Sequence, residues 1–96
     1  MALEALLLNP KDNVATAVGA LESGQGITVK NGVNNTDIDL IHAIPFGHKL
    51  ALHNIEPGEK IIKYGEVIGQ ATTRINKGEH VHVHNVEGLR GRGDRQ

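Results

Sequence analysis

Ile75-Asn76-Lys77-Gly78-Glu79-His80-Val81-His82-Val83-His84-Asn85 joins a glycine turn to an alternating run, and the period of that run decides the fold. Three of the six histidines of the chain fall within five residues of it. Read as a β-strand, the run places His80, His82 and His84 on one face and Val81 and Val83 on the other, toward a core. A helix would scatter the imidazoles around its circumference, and Val and His are poor helix formers. The expected element is a strand with an apolar back and a row of nitrogen ligands or proton carriers in front.

The opening of this stretch recurs. Leu21-Glu22-Ser23-Gly24, Ile44-Pro45-Phe46-Gly47, Ile55-Glu56-Pro57-Gly58 and Ile75-Asn76-Lys77-Gly78 each set an apolar residue three positions before a glycine. An apolar residue returns three positions after each Gly, and in three copies also at five: Ile27/Val29, Leu50/Leu52 and Val81/Val83, with Ile61 alone in the third copy. The pattern predicts a turn in which Gly supplies a positive φ, followed by a short strand with alternating burial. Pro45 and Pro57 sit inside two of these turns, where a fixed φ helps and a missing N–H costs little. Many short strands joined by Gly turns predict a mostly β domain. The copies are too short and too unevenly spaced for a solenoid.

In chain order, Leu3 to Leu8 reads as a first strand and residues 9–13 as a turn. Val14 to Leu21 fits a short helix, with Asp12 or Asn13 as N-cap and Gly24 just past its end. Ile27 to Lys30 is a strand and Asn31-Gly32 a hairpin signal. Asn34-Asn35-Thr36-Asp37 reads as a polar loop. Ile38–Ile44, His48–His53, Lys60–Lys63, Val67–Ala71 and His80–Val86 are further strands, with Tyr64-Gly65-Glu66 as a corner. Residues 1–86 thus form one domain. Residues 87–96 form a basic Gly/Arg tail that cannot build a core and is expected to order only against a partner.

Composition narrows the function classes. Ninety-six residues allow one modest core. Ten Lys and Arg against eleven Asp and Glu leave a formal charge of −1, and the aromatics are only Phe46 and Tyr64. Neither a nucleic-acid surface nor base-stacking platforms are expected. With no Cys there is no disulfide framework, thiolate metal site or Cys nucleophile. No apolar run approaches the roughly 20 residues needed to span a bilayer. Met1-Ala2-Leu3-Glu4 does not open a signal peptide, so a cytoplasmic protein is expected.

The runs "IPFGHKLAL", "IKYGEVIGQAT" and "INKGEHVHVHN", in that order and closely spaced, resemble the SAF domain of the altronate and galactarate dehydratase family. The likeness spans about Asn13 to Asn85, and "VEGLRGRGD" resembles the end of separately encoded small subunits. It implies a small β-clip domain, either fused to a large catalytic domain or acting as a small subunit beside one. It also implies β-elimination of water from altronate to give a 2-keto-3-deoxy acid, with Fe2+ or Mn2+ held mainly by the large subunit. His82, His84 and Asn85 match the family motif. Many members carry Trp where this chain has His80, a departure that resembles the small subunit of sulfolactate sulfo-lyase.

Such an elimination needs a base for the proton α to the carboxylate, and an acid or metal to help hydroxide leave. Neutral imidazole suits both tasks. The catalytic candidates are His82, His84 and His48, the last in the "GHK" turn. The metal candidates are His82 and His84, with His80 as a third. Lys49, Lys63, Tyr64 and Asn85 are candidates for holding an anionic sugar acid. The plain alternatives are a polar strand face, a solvated turn at His48-Lys49 and a structural corner at Lys63-Tyr64. His42 and His53 read as ordinary strand residues. Arg90, Arg92 and Arg95 read as a solvated tail, and the Arg92-Gly93-Asp94 tripeptide as chance.

A chain this short leaves little room for an enclosed six-carbon acid site. The expected role is therefore a non-autonomous lyase subunit, inactive alone, contributing one wall of a site shared with a large catalytic dehydratase subunit. Two other classes remain open: the small subunit of a sulfolactate sulfo-lyase, and a non-catalytic carbohydrate- or partner-binding module. Exposed strand edges offer a route to homo-oligomers.

Overall fold

The computed structural model describes residues 4–31 and 34–88, and every regular element in them is a β-strand. These are β1 (Ala5–Leu6), β2 (Val14–Ala17), β3 (Gly26–Asn31), β4 (Asn34–Asp39), β5 (Lys49–Ala51), β6 (Lys60–Lys63), β7 (Glu66–Ala71), β8 (His80–Val81) and β9 (Val86–Glu87). They form three antiparallel sheets, ordered β1-β2-β5-β8, β3-β4 and β6-β7-β9.

The repeated glycine turns organise the molecule in pairs. Gly24, Gly47, Gly58 and Gly78 have φ of 83°, 82°, 84° and 85°. The apolar residue heading each turn exchanges both backbone hydrogen bonds with its counterpart in another copy, Leu21 with Ile44 and Ile55 with Ile75. Each Gly N–H then donates to the carbonyl four residues before that counterpart: Gly24 to Leu40, Gly47 to Ala17, Gly58 to Ala71 and Gly78 to Ala51. The two pairs therefore share one local two-fold hydrogen-bond pattern, and each pair sits over its own apolar cluster.

One cluster gathers Leu21, Ile27, Val29, Ile38, Ile44 and Leu50, and the other gathers Val14, Ile55, Ile61, Ala71, Ile75 and Val81. The four-stranded sheet lies between them. On β2 and β5 successive residues alternate between the two, with Ala15 and Leu50 in the first and Val14 and Ala51 in the second.

Three expectations are corrected. Residues 14–21 form no helix: Val14–Ala17 is a strand paired with both β1 and β5, and tertiary pairing outweighs a weak helical periodicity. The expected caps act elsewhere. The Asn13 side chain donates to the Lys60 carbonyl and accepts from Ile62 N–H, both at 2.8 Å. The Asp12 carboxylate accepts from Tyr64 N–H at 3.1 Å and Gly65 N–H at 2.8 Å. Both side chains are buried and brace the β6–β7 hairpin.

Asn34–Asp39 is also a strand and not a loop. Its six residues pair with β3, bury Ile38, and accept a Thr28 hydroxyl bond at Asp37. Correspondingly, the strand expected over 38–44 ends at Asp39, and Ile44 makes only its isolated bridge. The hairpin signal at Asn31-Gly32 matches the β3–β4 pairing, although residues 32 and 33 lie outside the described ones. Finally, His80–Val86 is not one strand. β8 stops at Val81, a turn follows, and β9 begins at Val86. Of the tail expected over residues 87–96, Glu87 pairs with Gln70 in β9, and the residues from 89 on lie outside the described ones.

Candidate active site

The turn after β8 gathers the histidines instead of spreading them along a strand. Asn85 closes it. Its Oδ1 accepts from His82 N–H at 3.0 Å, its Nδ2 donates to the His80 carbonyl at 2.9 Å, and its own N–H donates to the His82 carbonyl at 3.1 Å. Asn85 is only 1% exposed, so its amide is committed to backbone and is not turned toward a ligand. Val83, expected in the core, stands 82% exposed at the tip.

β5 supplies the facing side. Leu50 pairs with His80 across the β5–β8 ladder, so His80 and the residues two removed from Leu50 share one face. His48 is one of those residues. Its Nδ1 lies 2.8 Å from His80 Nε2, and its ring stacks on His82 with centroids 3.8 Å apart and planes 12° apart. His84 is exposed and lies tilted against His80 at 5.1 Å.

Burial and neighbouring charge lower the basicity of two of the rings. Burial first, then the charges that His84, His48, His82 and His42 would carry, push His80 down to about 4. Burial, His48, Lys49 and His84 likewise lower His82. Both rings are therefore neutral near pH 7. Lys49 is lowered as well, by burial and then by Lys63.

Ligating nitrogens of His48, His80 and His82 all lie within 4.8 Å of one another. His82 Nδ1 is buried and has no hydrogen-bond partner. Three imidazoles, one of them with an unpartnered buried nitrogen, are a donor set suited to a divalent transition ion. The group is not the one read from the sequence: His48 joins His80 and His82, and His84 stands outside.

Beside the histidines opens a cleft of about 220 Å³ lined by Lys49, Ile68, His82, Val83, Val86 and Gly88. Ile68 reaches it through a β-bulge. Ile61 pairs with Gly69 and Ile62 with Val67, which leaves Ile68 as the extra residue, 40% exposed. The cleft is smaller than the roughly 300–1,000 Å³ of a complete small-molecule pocket. Lys63 and Tyr64 pair with each other, the ammonium 4.9 Å from the ring centroid, and Tyr64 is 59% exposed. Neither lines the cleft, although Lys63 is close enough to act on Lys49. His53 bonds its neighbour's carbonyl at Asn54, and Arg90, Arg92 and Arg95 lie outside the described residues.

The sequence carries no sign that Ile68 and Val86 border the site. A bulge shifts register without changing composition, so alternation over 67–71 reads as regular.

Comparisons with known proteins agree with this architecture. A family model described as the altronate/galactarate dehydratase SAF domain matches residues 3–89. The chain is 37% identical over 90 residues to the (2R)-sulfolactate sulfo-lyase subunit alpha of Chromohalobacter salexigens, covering 91% of this chain and 96% of that subunit. It is 38% identical over 80 residues to the altronate dehydratase of Bacillus subtilis and 37% over 84 residues to that of Escherichia coli. These matches cover 83% and 88% of this chain but only 15% and 16% of the dehydratases.

Proposed function

The chain belongs to the altronate/galactarate dehydratase SAF domain family, and on that premise we propose that it is the small subunit of a sugar-acid hydro-lyase of the altronate type. It would supply one wall of a site that a large catalytic subunit completes. One observation carries this reading: the cluster of His48, His80 and His82 borders, through His82, an open cleft that also holds a partly buried ammonium, Lys49.

The reaction removes the proton α to the carboxylate, forms a carbon–carbon double bond from that electron pair, and expels the β-hydroxyl as water. The resulting enol tautomerises to the 2-keto acid. A neutral imidazole of the cluster accepts the α-proton, and His82 has the position for it because it lines the cleft. Lys49 Nζ pairs with the substrate carboxylate. His48 and His80, hydrogen-bonded to each other, hold the His82 ring by stacking. With a divalent ion bound, His48, His80 and His82 would be its ligands and the ion would supply Lewis-acid polarisation of an oxygen; His82 is then no longer the base, and the α-proton would go to a group of the large subunit. His84, at the exposed edge, is left to meet the large subunit. No described helix is long and apolar enough to cross a membrane, and a cytoplasmic site of action suits a sugar-acid substrate.

The test is co-purification with the large chain, followed by an assay for 2-keto acid from altronate with and without a chelator. His82→Ala should lower turnover by about 10²–10⁴ while the assembly stays intact. Turnover within a few-fold of wild type in an intact assembly would leave the chain a binding module. A second reading, the alpha subunit of a sulfolactate sulfo-lyase, is favoured by the 96% coverage of that relative. It predicts sulfite release from sulfolactate and no product from altronate.

A further inference from the structure

Three of the four glycine turns lock themselves in the same way. The residue after Gly turns its side-chain oxygen back onto the N–H of the turn's first residue. Gln25 accepts from Glu22, Glu59 from Glu56 and Glu79 from Asn76, each at 2.9 Å. These short-range bonds hold the three side chains against their own backbone.

The turn at 45–48 has the same backbone. Gly47 has φ 82°, His48 N–H donates to the Pro45 carbonyl at 3.0 Å, and Gly47 N–H donates to Ala17 as its counterparts do. Only the lock is absent. Its first residue is Pro45, which has no N–H to offer. The residue after Gly is His48, whose ring points to His80 and His82 instead.

We propose that Pro45 is a positioning residue: by deleting the N–H that the equivalent turns present, it frees His48 from its own turn and leaves the ring to the histidine cluster. The inference rests on the reading of His48 as part of the active site, but its physical content can be tested separately. Pro45 and His48 act as a pair, each departing from the residue type that the other three turns use. One turn of the four has exchanged a self-contained hydrogen bond for a side chain available elsewhere.

The experiment is a double-mutant cycle on the full chain with Pro45→Ala, His48→Gln and the double variant, read by thermal unfolding and by nitrogen–proton correlation of the histidine rings. In the His48→Gln background, Pro45→Ala restores an N–H that the introduced glutamine can accept from, as in the Glu22–Gln25 turn. The Tm change on Pro45→Ala should then be about 4–8 °C more favourable than in the wild-type background, the scale of one net hydrogen bond in a domain of this size. Pro45→Ala alone should shift the ring nitrogen resonances of His48, since a donor three residues away now competes with His80. Additive Tm changes, or His48 resonances unmoved by Pro45→Ala, would overturn the proposal. Turnover of the assembled lyase separates the two ideas. If the resonances move and turnover does not, Pro45 positions His48 and His48 has no part in the reaction.

Discussion

His80 shows how one side chain links the site to stability. Its folded pKa of about 4 lies below the 6.5 of an exposed imidazole, with burial as the first cause. Between those values the unfolded chain binds a proton that the folded chain refuses, so stability rises with pH through that window. The contribution is complete above about pH 6.5 and is lost as pH falls toward 4. Urea midpoints measured from about pH 4 to about pH 7.5 in the presence of chelator should therefore climb and then flatten, and His80→Gln should reduce the climb. A profile unchanged by that substitution would place the titration elsewhere. A second contrast at this scale is between two glycines. Gly24 and Gly78 have nearly the same φ, but a Cβ at Gly24 meets open space while one at Gly78 runs into the Asp39 carbonyl. Gly24→Ala should cost about 1–2 kcal/mol from the left-handed backbone alone. Gly78→Ala should cost more, because the backbone carbonyl of Asp39 has to move. Chemical denaturation of the pair separates the two costs, and equal losses would mean that the neighbouring backbone yields freely.

The turn between β8 and β9 is the element on which the site depends, and Asn85 is its clamp. Asn85→Ala leaves the His82 N–H and the His80 carbonyl without their side-chain partner in a partly buried turn. The expected loss is about 2–6 kcal/mol, at roughly 1–3 kcal/mol for each of the two groups left unsatisfied. It should be accompanied by loss of the His48–His82 stack, visible as ring-proton shifts at His48. A destabilised variant whose His48 resonances stay in place would show that the stack orders itself without the turn. This is also where the sequence is least informative. Strict His/Val alternation over 80–84 carries the period of a strand, and nothing in it marks the break after Val81. The only sign is Asn85, a residue that closes turns through its side chain and that the sequence reading assigns to substrate. The glycine turns are legible because positive φ has a compositional mark. β4 is hidden for the opposite reason: Asn and Asp are depleted in strands, and its pairing with β3 is a tertiary fact. His48 is legible as a candidate, but its neighbours are not, since the ladder bringing Leu50 opposite His80 joins segments far apart in the chain.

At the scale of the whole molecule, a 96-residue chain divides its apolar residues between two clusters, and neither is large enough to be a domain by itself. The four-stranded sheet joins them. Leu50 and Ala51 are adjacent on β5, yet one belongs to each cluster, so the strand cannot leave one core without leaving the other. The histidine site sits on the same sheet, where β5 meets β8, and inherits rigidity from both sides. This coupling predicts a single unfolding transition even when one cluster is weakened. Ile44 and Ile75 hold equivalent places in the two turn pairs, and both are fully buried. Truncation of either to Ala should cost about 2–5 kcal/mol. The two halves can be watched separately. Tyr64 is the only tyrosine and lies on the β6–β7 hairpin beside the second cluster, whereas far-UV circular dichroism reports on strands throughout. For Ile44→Ala, coincident midpoints by Tyr64 fluorescence and circular dichroism are expected, because loss of the first cluster releases β5 and with it Ala51 from the second. If the dichroism changes first while the Tyr64 signal holds, the clusters fold independently, and the sheet between them is a surface of contact instead of a shared core.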